Sequence, residues 1–272
     1  YIRSTETTIN APATLTFADG RAMCHTMVSS YAAGDNLYVY YPWSELNDTN
    51  GPDKVTLTIP SVQKQTVAGD FAVENMPMVS SSLTLDPATD TKVYMRPVAG
   101  FIRINIYSST ALSESVRSVT YSAIDSPIAG DVTVDMTAVE SSGEFFISQG
   151  DKMSVSLSVA EPYAVTTSLS DSKPLYLVLT ASKTKGLLTV TTDKAIYTYE
   201  NYCANVGRNK SYDLNIDLSR AASRQSIEGD WGGGDGSISN PYIIRTAEDI
   251  VRLSEGINSS DYTTYYKKYY RQ

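Results

Sequence analysis

Histidine occurs once in this chain, at position 25, and cysteine twice, at positions 24 and 203. A Ser-His-Asp, Cys-His or histidine-metal scheme would have to run through that single imidazole. Cys24 is its neighbour, yet adjacent residues on a strand point to opposite faces, so the pair makes a poor nucleophile and base. Two cysteines far apart in sequence exclude a small disulfide-dense scaffold, and two unpaired thiols are expected. No lysine or arginine run is present and the net charge is −8. Nucleic acid and anionic membrane surfaces both require a basic patch, so neither is the expected partner. No stretch of about 18 apolar residues occurs, which excludes a membrane-spanning helix. No signal-peptide pattern is visible, and the chain opens on Tyr1 rather than methionine, which points to a segment removed ahead of it.

Other chemistry is missing too. Residues 232–237, GGGDGS, lack the Lys-Ser/Thr that completes a phosphate-binding loop. Asp230 and Asp235 fall short of the roughly six to eight oxygens that calcium takes. No acidic pair with glycosidase spacing can be placed. No cofactor, metal or catalytic residue is therefore assigned, and the chain is read as a non-enzyme.

What is present is β-forming. Serine and threonine are abundant and tyrosine reaches 20 against 5 phenylalanines. With 42% hydrophobic and 19% charged residues in 272, the composition is globular and allows two modest domains plus an appendage. Residues 93–107, VYMRPVAGFIRINIY, hold the clearest strand. Ile102, Ile104 and Ile106 alternate with Phe101, Arg103, Asn105 and Tyr107, which gives one core face and one rim face. This strand is expected to close a first β-domain.

Before it, residues 14–17, 36–43, 54–59 and 78–85 read as short strands, and 33–36, 50–53 and 86–88 as turns. After it, the same grammar restarts at 116–121, 130–136, 144–147 and 153–159. It continues at 175–180, 187–192, 195–199 and 211–218. The expected fold class is all-β. Residues 1–110 and 111–220 form two tandem sandwiches, 221–235 a glycine-rich linker and 236–272 a strand-helix cap. In the last segment, residues 242–245 read as a strand. Thr246 with Asp249 suits a capping box, and Ile250, Leu253 and Ile257 fall on one helical face. Tyrosines crowd the tail at 265, 266, 269 and 270, which reads as the start of a further unit.

The aromatic run Tyr38, Tyr40, Tyr41 and Trp43 offers a surface for carbohydrate stacking, with Trp231 as a second aromatic candidate. Alternation also makes several of these rings core residues, and an indole folded against the second sandwich is the plainer reading of Trp231.

Asp35 to Pro42, DNLYVYYP, ends in a Tyr-Tyr-Pro that resembles a strand of fimbrillin-like proteins, the pilus and surface adhesin subunits of anaerobic Gram-negative bacteria. Leu57-Thr58-Ile59-Pro60 followed by Gln63 and Gln65 resembles that family's Ile-Pro-x-x-Gln-x-Gln segment, and Met76 to Val79 a later strand. Val98 to Ile106 is similar to the strand that closes the first domain, with Pro97 and Val98 where a histidine is often found. Ile128-Ala129-Gly130 and Asn209 to Leu218 complete the series, which covers residues 10–220. Residues 234–258 resemble the N-terminal cap of bacterial surface β-helix or GLUG-repeat domains, whose solenoid would follow in a longer adhesin.

The resemblance implies two transthyretin-like β-sandwiches, export as a lipoprotein to the outer surface, and adhesion or fimbrial assembly without catalysis. It implies partners among other pilus or surface subunits and a surface receptor, and assembly by strand addition after proteolysis, with Arg3 or Arg21 as the processing position. A C-terminal extension suits a tip or accessory subunit. The alternative is a carbohydrate-binding surface lipoprotein of a polysaccharide-uptake system, with glycan as ligand.

Overall fold

The computed structural model describes residues 2–3, 8–18, 21–26, 33–47, 53–84, 86, 92–139, 146–226, 231, 234, 236–245, 247–258 and 263–272. The expected turns at 50–52 and 87–88, the glycines at 229, 232 and 233, Asp230, Asp235 and Thr246 lie outside them.

The chain is all-β, and its two-residue periodicity is realised where the sequence carries it. Val55, Leu57 and Ile59 of the Lys54–Ile59 strand are buried, while Lys54 and Thr58 are exposed. That strand pairs antiparallel with Gly130–Asp135, which pairs on its other side with Phe146–Ser148. Pro60 follows. Having no N–H to give a ladder, it stands where the chain leaves one sheet for another. Val62–Gln65 then runs parallel to Ser154–Ala164 in a different sheet. That sheet has six strands, ordered Ser223–Ser226, Ala195–Val206, Ser182–Thr192, Ser115–Ala123, Ser154–Ala164 and Val62–Gln65. A register shift between Val116 and Ser118 lets Val116 and Val119, three residues apart, both reach the core.

A three-stranded sheet completes the packing. Gly100–Tyr107 is its centre, antiparallel to Leu175–Leu179 and parallel to Ser211–Asp217. The strand expected to close a first sandwich is hydrogen-bonded on both sides to strands from beyond position 110. The three isoleucines share their face with Leu175, Leu177 and Leu179 on one side and Leu214 and Ile216 on the other, so the three strands present one continuous apolar surface. The preceding piece, Met95–Pro97, does pair with earlier chain, through Met78–Ser80 to Tyr40–Tyr41. Buried side chains from Tyr38 to Leu218 belong to one hydrophobic cluster.

Gly100 begins the central strand under close confinement. A Cβ there would lie 2.3 Å from the Gly207 carbonyl oxygen and 2.8 Å from that of Lys210, both backbone atoms. Gly100→Ala is expected to cost about 1–3 kcal/mol, read as a lower urea midpoint at unchanged slope. A variant as stable as the parent would refute this crowding.

Ahead of the core, Asn36–Leu37 pairs with Leu83–Thr84 and Ile2–Arg3, and Ile2–Arg3 pairs with Thr8–Ile9. Thr14–Ala18 and Arg21–His25 form a hairpin. At the C-terminal end, Tyr242–Ile243 runs parallel to Tyr270–Arg271, with the helix Ala247–Ile257 between them in sequence. The helix buries a different face from the one expected. Asp249 and Gly256 are buried and Leu253 half-buried, whereas Ile250 and Ile257 are 53% and 52% exposed. Gly256 decides this, because its missing side chain lets the helix lie on the Tyr265 ring, 2.5 Å from where a Cβ would be. Asp249 does serve the helix start, accepting from the Arg245 N–H at 2.9 Å.

Candidate functional site

Strand alternation sends Phe101, Arg103, Asn105 and Tyr107 to the side opposite the isoleucine core. Cross-strand register places Tyr176 beside Arg103 from one neighbour, and Asp213 and Asn215 beside Arg103 and Asn105 from the other. The outer face of this sheet is thus a row of polar pairs beginning at an aromatic cluster. Asn105 Nδ2 donates to Asn215 Oδ1 at 2.9 Å. Arg103 Nη1 stands 3.8 Å from Asp213 Oδ1, with the two side chains 45% and 60% exposed, so the pair is loose and both groups keep hydrogen-bonding capacity.

The aromatic cluster consists of Phe71, Phe101 and Tyr176, with ring centroids 5.3, 5.4 and 5.7 Å apart at steep angles. Two devices fix it. Gly69, at φ +102°, turns the loop that carries Phe71 and donates its N–H to the Pro174 carbonyl at 2.9 Å. Gln65 Oε1 accepts from the Tyr176 N–H at 3.1 Å, and its Nε2 donates to Val67 and Pro174 carbonyls. Gln63 repeats the arrangement two residues earlier. Its Oε1 accepts from Val178 N–H at 2.9 Å and its Nε2 donates to Val178 O at 2.6 Å. Both glutamines are 1% exposed. Their amides stand in for a neighbouring strand and close the outer edge of Leu175–Leu179.

The opposite edge is left open. Phe101 N–H donates to the Lys210 carbonyl at 3.1 Å, and in the parallel register that follows, Tyr212, Leu214 and Ile216 turn their backbone groups inward to the sheet. The N–H and C=O of Ser211, Asp213 and Asn215 point outward and meet no partner among the described residues. Tyr199 closes this edge at its far end by donating to the Asp217 carbonyl at 2.8 Å. At its near end lies an open cleft of about 260 Å³, lined by Met76, Pro97, Ala99, Phe101, Asn209, Lys210 and Ser211.

The residues singled out from sequence lie elsewhere. Tyr38 and Tyr40 are 4% and 8% exposed, and Tyr40 donates its hydroxyl to Asn10 Oδ1 at 2.7 Å. Trp43 is exposed. Trp231 is buried, stacked on Tyr242 at 5.4 Å and edge-on to Tyr265 and Tyr270. The indole therefore packs within the C-terminal segment, so a sheltered ring was expected but against a different surface. Arg3 and Arg21 sit in the strands Ile2–Arg3 and Arg21–His25, with their side chains outside the described residues. His25 is exposed and shares a hydrogen bond with Thr16 Oγ1 at 3.0 Å. Cys203 is a free, exposed thiol. Among the described residues no group of histidine, cysteine and carboxylate side chains is arranged to hold a metal, and no helix is long and apolar enough to cross a membrane.

Of the two residues expected at a rim, Arg103 is exposed whereas Asn105 is buried, its amide bonded to Asn215; sequence reasoning did not find the ring cluster, because Phe71, Phe101 and Tyr176 are far apart in the chain. The two glutamines carried the available signal: uncharged polar residues two apart after a β-run, each needing a partner once buried.

No protein-family model matches this chain, and no curated protein sequence matches it. Solved structures that resemble it include two provisionally described as cell adhesion proteins. One, from Bacteroides ovatus, is 14% identical over 77% of this chain and 74% of that one, with a TM-score of 0.46. The other, from Bacteroides thetaiotaomicron, is 9% identical over 78% of this chain and 81% of that one, with a TM-score of 0.36.

Proposed function

We propose that this chain is a non-catalytic cell-surface protein, an adhesin or a fimbrial tip or accessory subunit, that meets a neighbouring subunit by strand addition at Ser211–Asp217. One observation carries the reading: the outward N–H and C=O groups of Ser211, Asp213 and Asn215 form a ready template beside a partly apolar cleft. The contrast with the other edge supports it. There two buried glutamines occupy the same kind of backbone groups, so the sheet accepts a partner from one side only. The resemblance of residues 10–220 to fimbrillin-like subunits points the same way, and export to the outer surface goes with it.

Proline at position 211 tests the edge. The Ser211 N–H points away from the sheet and the residue is exposed, so Ser211→Pro removes no ladder bond and changes stability by no more than about 1 kcal/mol. Sedimentation velocity over a range of concentrations is expected to show association of the parent chain and its loss in Ser211→Pro. A parent that stays monomeric throughout, or a variant that associates equally, would overturn strand addition at this edge.

A further inference from the structure

We infer that the outer face of the Gly100–Tyr107 sheet binds a neutral glycan, laid along the strand from the Phe71, Phe101 and Tyr176 rings across Arg103 and Asp213 to Asn215, which the buried Asn105 holds through its amide. The inference rests on reading the chain as a non-catalytic contact protein and is independent of strand addition. A pyranose offers two kinds of surface, an apolar C–H face and a rim of hydroxyls that each donate and accept. The sheet face presents the complement of both. Its rings supply apolar, electron-rich area. Arg103 donates, Asp213 accepts, and Asn215 does either, at positions about 7 Å apart along the strand.

Charge decides the class of glycan. Arg103 and Asp213 cancel within the face, and the chain as a whole carries −8. A sialylated or sulfated chain would approach against that net negative charge, whereas a neutral one meets no such cost. A protein hot spot is a poorer match, because it wants a contiguous apolar centre depleted of charge, and here rings give way at once to an ion pair and amides. The site is also built in advance. Ring-to-ring contacts, the Gln65 bond to the Tyr176 backbone and the Gly69 bond to Pro174 hold the aromatics in place, so little side-chain freedom remains to be lost on binding.

The test is an array of neutral, sialylated and sulfated oligosaccharides probed with the whole chain, followed by calorimetry on the strongest hit. Neutral glycans alone are expected to bind. Phe71→Ala and Arg103→Ala, both at exposed positions, each weaken binding about tenfold or more, while Trp43→Ala, at an exposed ring elsewhere, leaves it unchanged. Absence of any bound glycan, a preference for the charged ones, or binding that survives both site variants would overturn the inference. Sedimentation of the parent chain separates the two readings: association with no glycan bound sinks this inference alone, and glycan binding by a chain that stays monomeric sinks strand addition alone.

Discussion

Gln63→Leu is expected to lower the unfolding free energy by about 3–5 kcal/mol, although the two side chains are nearly equal in size. The glutamine amide occupies both the N–H and the C=O of Val178, a residue with no exposed surface. Leucine fills the space but leaves the two backbone groups buried without partners, at about 1–3 kcal/mol each. Gln65→Leu acts in the same way on Tyr176 and Pro174, and Gly69 N–H remains on the Pro174 oxygen to soften the loss. Lys64, between them and exposed, provides the control, and Lys64→Leu is expected to change stability by less than about 0.5 kcal/mol. Urea unfolding of the three variants reads the effect. A Gln63→Leu loss under about 1 kcal/mol would show that the edge is satisfied in some other way.

The second large effect concerns the last strand of the six-stranded sheet. Glu114, 6% exposed, accepts from Thr192 Oγ1 at 2.6 Å, from Tyr197 OH at 2.9 Å and from Arg224 Nη2 at 2.9 Å. Arg224 also donates through Nε to the Tyr197 hydroxyl at 3.0 Å and lies over its ring. Burial pushes the Glu114 carboxyl up, but hydrogen bonds from Thr192, Arg224 and Tyr197 and the nearby guanidinium outweigh it, so the group sits below the ordinary carboxylate range. Arg224→Ala strands that carboxylate. The cost is about 2–3 kcal/mol at neutral pH, less than for a fully buried pair because the Arg224 side chain is 43% exposed.

The pH dependence has a definite sign. With its folded pKa lowered, Glu114 stabilises the parent above the ordinary carboxylate pKa, and that contribution fades as pH falls through the lowered value. Once Glu114 is protonated it no longer needs the cation. The stability gap between parent and Arg224→Ala should therefore be widest near pH 7 and narrow toward about pH 3. Thermal unfolding of both chains across that window decides, and a gap that stays constant with pH would rule out the Glu114–Arg224 interaction as its source.

These two clusters show where sequence reading stops. Glu114 and Arg224 are 110 positions apart, and nothing local to either announces the other. The Gln63 and Gln65 spacing was visible, but not that their amides face the backbone of Leu175–Leu179. The ring cluster is similar: one ring comes from a loop, one from a central strand and one from an edge strand, and only the sheet brings them together.

By itself the sequence determined the elements that short-range physics controls. Period-2 alternation located Lys54–Ile59, Gly100–Tyr107, Gly130–Asp135 and Ser211–Asp217, and β-branched and aromatic composition made the class all-β. Tertiary structure alone decided which strands pair. It placed Gly100–Tyr107 between segments from much later in the chain, sent Tyr38 and Tyr40 into the core, and turned the helix to bury Gly256 in place of Ile250. The reason is that alternation specifies which face of a strand is apolar but carries no information about its neighbours. That choice is made by core shape and by which backbone edges find a partner. Here it left one edge of the central sheet closed by glutamine amides, the other open, and a face of rings and polar pairs between them.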